Sequence, residues 1–362
     1  MVYKVIGLMS GSSLDGLDIL FTELQETAGK WNYEIIKAAC IEYDEIWQKK
    51  LKGAVDLKAL DYQLLHTEYG QFTGKKINEF IEVNNLQHKV NLVSSHGHTT
   101  FHLPGKKMTH QLGDGAAIAS ETKLPVVSDL RAIDIAFGGQ GAPIVPLGEK
   151  LLFSGYNFFL NLGGIANLSV HNENTVVAYD VCAANRVLNM LAEEKGVPYD
   201  EEGKISAAGN INTNLLKKIN SLDYFKLAFP KSLANSFGTD IIFPIIKSFE
   251  TSTADALSTF TEHISIQIKN SLEPFKQNET QKLFITGGGA FNTFLIERLK
   301  EHLVEINFEI QIPEENIVKY KEALIMALLG TLRWREQYTI LASVTGASRN
   351  TIGGALWLGT EA

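Results

Sequence analysis

The sequence predicts an α/β protein built from two similar halves. Apolar strands alternate with amphipathic helical stretches along the chain, which is the pattern of α/β proteins. Two glycine-punctuated hairpins, at residues 2–24 and 157–172, lie about 150 residues apart and indicate an internal duplication. The length of 362 residues exceeds the ~250–300 residues at which one core stops growing. We therefore divide the chain into residues 1–150 and 151–362, with the last helix able to pack back on the first half; one large doubly wound sheet is the alternative.

The first half reads as a regular succession of elements. Residues 2–24 predict a strand, a glycine- and serine-rich turn and a second strand. Residues 44–85 carry apolar positions at helical spacing and predict two helices. Residues 90–102 predict a buried strand that ends in a histidine-rich loop. Residues 114–122 then predict a helix, and residues 124–130 predict another short strand.

The second half contains the second hairpin and a third glycine-rich turn. Residues 157–172 repeat the order of strand, glycine turn and strand. Residues 178–185 predict a strand that ends at Asp180. Residues 282–303 predict a hydrophobic strand, three glycines and an amphipathic helix. The longest apolar run, residues 323–332, is shorter than the ~20 residues needed to cross a bilayer, so no membrane segment is expected.

Composition excludes several classes of function. With 45% hydrophobic and 20% charged residues, the chain resembles an ordinary globular protein. A net charge of -8 argues against non-specific nucleic-acid binding, which needs a basic surface. The N-terminus reads as a strand rather than a secretory signal. Only two cysteines, Cys40 and Cys182, are present, so neither a disulfide framework nor a cysteine zinc site is expected, and a cytoplasmic location fits.

The first glycine-rich turn is a candidate phosphate site. Gly7, Gly11 and Gly16 would let main-chain N–H groups approach a phosphate, and the serines between them offer hydroxyl donors. Asp15 and Asp18 provide the carboxylates that Mg²⁺ prefers. The turn opens a strand and lacks the lysine of a Walker motif. The alternative is a tight hairpin that needs glycine for its turn alone.

Residues 285–292 are a second candidate, for the nucleotide itself. Three glycines between a strand and a helix would let a flat base lie against bare main chain, and the helix N-terminus favours phosphate. The alternative is a sharp strand-to-helix turn, which rarely needs three glycines.

Asp180 is the candidate catalytic base. A general base must lie within about 3 Å of the water or hydroxyl that it deprotonates. A carboxylate at a strand end is more often a cap or an ion-pair partner, so that alternative stays open.

The histidine-rich stretch at residues 95–102, with His110, is a candidate sugar site. Its spacing matches no accepted zinc motif. Imidazoles, amides and carboxylates hydrogen-bond hydroxyl groups, and an aromatic ring can cover an apolar ring face. The neighbouring groups of these kinds are Gln111, Gln140, Asp114, Asp134 and Phe101. A polar surface with glycine hinges is the alternative.

Seven stretches together resemble the anhydro-N-acetylmuramic acid kinase family. They are GLMSGSSLDGLD, SHGHTTFH, QLGDGAAIA, DIAFGGQGAPIVP, NLGGIANLSV, ITGGGAFN and SVTGASRNTIGGAL, in that order from Gly7 to Leu356. The resemblance implies two actin-like (ribonuclease H-like) ATPase domains and MgATP as cofactor. It also implies an enzyme that opens and phosphorylates 1,6-anhydro-N-acetylmuramic acid to N-acetylmuramic acid 6-phosphate, in peptidoglycan recycling, and a homodimer.

The resemblance also implies site residues by position. Asp180 would activate the water. The phosphates and magnesium of MgATP would be held by Gly11, Ser12, Ser13, Leu14, Asp15, Gly16, Leu17 and Asp18, with Asp15 and Asp18 as the metal ligands. The nucleotide would face Gly287, Gly288 and Gly289. The sugar pocket would be lined by His96, Asp129, Arg131 and Glu322, the last of these on a helix that begins near Lys321.

Three stretches depart from the usual family pattern. Residues 181–184 lack the threonine and both glycines of YDTGPGN, and residues 233–236 lack the polar set of PKSTGRE. Residues 130–134 keep only one arginine of the usual arginine-rich stretch. These departures leave two alternatives open: a kinase for another amino sugar, or a nucleotide- or sugar-binding regulatory protein without catalysis.

Overall fold

The computed structural model describes residues 1–11, 14–172, 176–229, 231–234 and 236–359. The chain divides into two compact units. Unit 1 comprises Met1–Ser154 and Tyr320–Ala362, and unit 2 comprises Gly155–Lys319. The boundary expected at residue 150 lies close to the first division, whereas residues 320–362 fall in unit 1 and not in the second half.

Strands and helices alternate throughout the described residues. Up to residue 154 they are β1 (Val2–Ser10), β2 (Gly16–Thr27), β3 (Lys30–Glu42), α1 (Glu45–Lys52), α2 (Ala59–Val83), β4 (Leu92–Leu103), β5 (Met108–Leu112), α3 (Gly115–Thr122), β6 (Val126–Ser128), α4 (Ala132–Ala136) and α5 (Val145–Leu152). Beyond it they are β7 (Phe158–Leu162), β8 (Ile165–His171), β9 (Val176–Ala183), α6 (Asn185–Glu193), α7 (Lys204–Ala207), α8 (Thr213–Asn220), α9 (Phe243–Lys247), α10 (Thr253–Leu272), β10 (Gln281–Thr286), α11 (Thr293–Val304), β11 (Phe308–Gln311), α12 (Glu315–Trp334), α13 (Ala342–Thr345) and β12 (Ala355–Trp357).

The sheets of the two units share one plan. In unit 1 the order is β3-β2-β1-β4-β6, with β1, β2 and β3 antiparallel and β4 and β6 parallel to β1. In unit 2 the order is β9-β8-β7-β10-β11, again with three antiparallel strands followed by two parallel ones. Strands β12 and β5 extend the first sheet only. The predicted class, two similarly built α/β halves, is confirmed, and the single-sheet alternative is wrong.

Helix α12 supplies much of the core of unit 1. The apolar run at residues 323–332 is buried, and its small residues allow close packing. A Cβ at Gly7 of β1 would lie 2.0 Å from the carbonyl oxygen of Ala323. A Cβ at Gly330 would lie 2.4 Å from that of Ser94 on β4. Helix and sheet therefore touch through main chain at these two glycines.

Three predictions of local structure need correction. The histidine-rich stretch is part of β4, which runs to Leu103 and pairs with β5, so it is not a loop. Asp180 lies inside β9, which continues to Ala183, and does not end the strand. The helix expected to begin near Lys321 begins at Glu315, with a non-helical residue at Tyr320.

The cysteines and the long helices can be described within the same residues. Cys40 is an exposed free thiol and Cys182 is a buried one, so the two are not bonded to each other. None of the described helices is both long and apolar enough to cross a membrane.

Candidate functional site

The first glycine-rich turn joins β1 to β2 in unit 1. Ser12 and Ser13 lie outside the described residues. Leu14 adopts a left-handed conformation, with a φ of 62°, and its N–H donates to the Gly11 carbonyl at 3.4 Å. Asp15 is exposed, whereas Asp18 is half-buried. The turn thus presents two carboxylates at the end of the hairpin.

Two of the glycines assigned to phosphate approach have a packing role. Gly7 lies within β1 against α12, as described above. A Cβ at Gly16 would lie 2.6 Å from the Ile41 carbonyl oxygen on β3. Leu17 is buried in the apolar core, and its main chain pairs with that of Ser10. Gly11 and Leu14 lie in the turn itself, where phosphate is predicted to bind.

Asp18 carries the strongest electrostatic signal of the turn. Burial raises its pKa to about 6; a hydrogen bond from Cys40 opposes the shift, and the charges of Glu322 and Asp15 add to it. Burial and the neighbouring carboxylates both disfavour the ionised form of Asp18. No cluster of three or more metal-ligating side chains occurs among the described residues. Two carboxylates still suit Mg²⁺, which usually keeps waters and substrate phosphates as its other ligands.

Arg131 lies within electrostatic reach of both Glu322 and His96. Burial raises the pKa of Glu322, and the charge of Arg131 opposes that shift. Burial lowers the pKa of Arg131 to about 10, with Glu322 opposing. Burial and then the charge of Arg131 lower the pKa of His96 to about 3. The structure therefore brings three predicted sugar residues together, and the imidazole among them is neutral.

A cavity of about 200 Å³ in unit 1 is lined by five of the residues suggested for sugar binding: His96, His110, Gln111, Asp114 and Asp129. The His96 Nδ1 lies 2.8 Å from the Gly97 carbonyl oxygen, so Nδ1 carries the hydrogen. The Nε2 of His96 and the Oε1 of Gln111 are both buried acceptors without a partner. Arg131 and Glu322 are not among the lining residues. Sequence reasoning missed His66, which lies on α2 and lines the same cavity.

Two carboxylates suggested for sugar binding hold local structure. Asp114 caps α3, because its Oδ1 accepts from the Ala116 N–H at 2.9 Å. Asp134 is fully buried and accepts from the Gly141 N–H and the Thr345 hydroxyl, each at 2.8 Å. The suggestion that Asp134 binds sugar is therefore wrong, because its carboxylate is fully buried, is held within the protein and does not line the cavity.

Asp180 is held at several points in unit 2. One carboxylate oxygen accepts from the amide of Asn167, and the other accepts from the Leu233 N–H at 2.7 Å. Its carbonyl oxygen accepts from the Tyr224 hydroxyl at 2.5 Å, and its N–H donates to the Lys231 carbonyl at 3.2 Å. Burial raises its pKa, and the two carboxylate hydrogen bonds oppose that shift. The geometry presents a fixed, partly desolvated carboxylate.

The predicted nucleotide glycines form a turn packed on the end of β7. A Cβ at Gly287, whose φ is 85°, would lie 2.5 Å from the Asn161 Oδ1. A Cβ at Gly289 would lie 2.7 Å from that of Leu162. At Gly288 the nearest atom would be 3.7 Å away. Glycine is thus required at the first and third positions, whereas the middle position has room for a Cβ.

The stretch that departs from the family pattern is part of the core of unit 2. Val181 and Ala184 are buried, as are the two residues between them. The Ala184 N–H donates to the Gly164 carbonyl at 2.9 Å, and the Asn185 N–H donates to that of Gly163 at 3.1 Å. These main-chain donors are occupied by the turn between β7 and β8. That turn is the NLGG of the second predicted hairpin.

Comparison with known proteins gives a consistent result. A family model described as anhydro-N-acetylmuramic acid kinase matches residues 3–359. The anhydro-N-acetylmuramic acid kinase of Aliivibrio fischeri is 32% identical, with 98% of this chain and 99% of that protein covered. The one from Sulfurovum is also 32% identical over the same shares, and one from Bacillus thuringiensis is 29% identical, with 97% and 98% covered.

One solved structure similar to this chain is an activator of the 2-hydroxyisocaproyl-CoA dehydratase from Clostridium difficile with bound ADPNP. It covers 92% of this chain and 96% of its own at 16% identity, with a TM-score of 0.41. A likeness at that score carries no weight for fold or function.

Proposed function

Since the chain belongs to the anhydro-N-acetylmuramic acid kinase family, we propose that it uses ATP to convert 1,6-anhydro-N-acetylmuramic acid into N-acetylmuramic acid 6-phosphate. The observation that carries the proposal is the match over nearly the whole chain, residues 3–359. The clamped carboxylate of Asp180 supports it, because the reaction needs a base to activate water.

In the proposed reaction, two bonds between heavy atoms form and two break. The oxygen of a water bonds to the anomeric carbon while the bond from that carbon to the bridging O6 breaks. Asp180 takes the proton that the water gives up. O6 bonds to the γ-phosphorus of ATP as the bond from that phosphorus to the β,γ-bridging oxygen breaks, releasing ADP. Positioning and neutralisation of charge dominate such a phosphoryl transfer.

The groups of this chain divide between phosphate and sugar. In unit 1 we assign Gly11, Leu14 and the carboxylates of Asp15 and Asp18 to the triphosphate and its magnesium. Bound there, Mg²⁺ would neutralise charge on the phosphates. In unit 2 we assign the turn at 287–289 to the nucleotide.

The sugar is assigned to His96, Asp129, Arg131 and Glu322. A neutral imidazole accepts a hydrogen bond from a hydroxyl, and the guanidinium suits the carboxylate of the lactyl group. His96 is neutral across the physiological range, since its pKa is about 3. The contribution of His96 to the affinity for the sugar should therefore not change between pH 6 and pH 9.

Activity is tested with the purified full chain, MgATP and the anhydro sugar. We expect ADP release that requires the sugar, together with a product that phosphorus NMR identifies as a 6-phosphate. ADP release with a different amino sugar in a substrate panel, and none with the anhydro sugar, would contradict the proposed substrate. Binding without any ADP release would contradict the kinase itself.

The nucleotide assignment predicts unequal effects of two glycines of unit 2. Gly287→Ala should weaken ADP binding about tenfold, because a side chain at positive φ against Asn161 strains the turn by ~1–3 kcal/mol. Gly155→Ala, the control outside the turn, should leave binding within about twofold, because a Cβ there meets nothing within 4 Å. Calorimetric titration with ADP measures both. Equal affinities for the two variants would remove the turn from the nucleotide site.

We place the reaction in peptidoglycan recycling in the cytoplasm, and we expect a homodimer. Light scattering on the purified chain tests the oligomeric state: a mass near 80 kDa, twice the 40.0 kDa of the chain, supports the dimer. A mass near 40 kDa contradicts it.

A further inference from the structure

Three separate segments of unit 2 converge on Asp180. Asn167 comes from the neighbouring strand β8, Tyr224 from a short 3₁₀ turn at Asp223–Lys226, and the third segment is the strap at residues 231–233. Every polar group of the residue, side chain and main chain alike, has a partner among them. An aspartate in an ordinary strand needs only its main-chain partners.

The two carboxylate bonds fix the plane of the base. Asn167 donates to Oδ1 and the Leu233 N–H donates to Oδ2 at 2.7 Å, so rotation of the carboxylate breaks at least one of them. Each oxygen has room for a second hydrogen bond, because an ionised carboxylate offers about four acceptor positions. One of these free positions can accept the proton of a water. The arrangement orients the base without blocking it.

The strap binds Asp180 through main chain alone. The Asp180 N–H donates to the Lys231 carbonyl at 3.2 Å, and two residues later the Leu233 N–H returns to the carboxylate. Tyr224 anchors the strap, because its carbonyl accepts from the Lys231 ammonium at 3.3 Å and its ring lies 4.6 Å below that ammonium. The apolar side chain of Leu233 therefore does not alter the contact with Asp180.

We propose that Asn167 and the main-chain N–H of Leu233 are positioning groups that orient Asp180 toward the attacking water. The proposal rests on the proposed function, in which Asp180 is the base. It explains how the chain can depart from the family pattern at residues 233–236 and keep the contact: an N–H is available from any residue except proline.

The same two bonds should govern the pH dependence of activity. Burial raises the pKa of Asp180, and these two hydrogen bonds lower it. The loss of either bond should therefore raise that pKa further. The other titratable groups nearby are Tyr179 and Cys182 on β9, and Tyr224 and Lys231 on the facing segment, and none of them contributes to the shift. The base works when ionised, so activity is lost as pH falls through its pKa. A higher pKa moves this acid limb upward.

The experiment compares pH profiles of kcat for the full chain and four variants, at saturating MgATP and anhydro sugar. Asn167→Ala and Leu233→Pro each remove one donor. We expect each to lower kcat about tenfold or more and to move the acid limb up by about one pH unit, with KM for the sugar nearly unchanged. The matched controls are Leu233→Ala, which keeps the N–H, and Ser169→Ala, two residues further along β8. Both should follow the wild-type profile.

The outcomes separate this proposal from the proposed function. A wild type without activity on the anhydro sugar overturns both. An active wild type whose acid limb coincides with those of Asn167→Ala and Leu233→Pro overturns the positioning role alone. If circular dichroism shows that Leu233→Pro is unfolded, the result for Asn167→Ala decides the question. If the acid limb of Leu233→Ala moves as far as that of Asn167→Ala, the role of the Leu233 N–H is also overturned.

Discussion

Asp180→Asn lowers kcat by about 10²- to 10⁴-fold in the outcome that we expect, which is the contribution of a well-placed general base. The amide is nearly the same size as the carboxylate and can still accept from the Leu233 N–H. Its NH₂ would face the amide of Asn167, which can turn over to present its oxygen. The fold and the affinity for ADP should therefore be preserved, and the loss should appear in kcat.

A control for this prediction is Asp223→Asn. Asp223 lies in the 3₁₀ turn beside Tyr224, its side chain is 96% exposed, and it pairs with Lys226 on the surface. Its removal deletes a carboxylate from the same region at little cost, because exposed ion pairs contribute ~0–1 kcal/mol. Steady-state kinetics and thermal unfolding of both variants decide the matter. A kcat for Asp180→Asn within tenfold of the wild type would show that another group activates the water.

The hairpins and the duplication could be predicted from the sequence because they are local patterns. A run of apolar residues, a glycine cluster and a second apolar run lie within about 25 residues, and hairpin pairing follows directly. The turn at 287–289 could be predicted for the same reason, because its strand, glycines and helix are adjacent in sequence. Strand β3 was missed because it is an edge strand whose residues are mostly exposed or half-buried, so the apolar alternation that marks a strand is weak.

The surroundings of Asp180 could not be predicted, because its partners are distant in sequence. Asn167, Tyr224 and Leu233 are separated from it by 13, 44 and 53 residues. Two of these contacts involve main-chain atoms, which every residue possesses and which therefore leave no trace in composition. For the same reason, Gly7 was assigned to phosphate: only the packed structure shows the Ala323 carbonyl against it.

The largest expected effect on stability comes from Lys321. Its ammonium lies 2.8 Å from the Glu149 Oε1, and the two side chains are only 3% and 2% exposed. Lys321→Met removes the cation and leaves the carboxylate of Glu149 in the interior. Breaking a buried pair in this way costs ~3–5 kcal/mol, a large part of the ~5–15 kcal/mol that stabilises a typical native protein. We expect a much lower midpoint of urea unfolding.

The double variant Glu149→Leu/Lys321→Met separates the charge from the packing. Replacing both partners by apolar residues of similar volume removes the uncompensated carboxylate, so most of the lost free energy of unfolding should return. The pair also bears on the site, because Lys321 lowers the pKa of the adjacent Glu322 and Glu149 raises it. If the single and double variants unfold at the same urea concentration, packing around Lys321, and not the desolvated charge of Glu149, is what stabilises this part of unit 1.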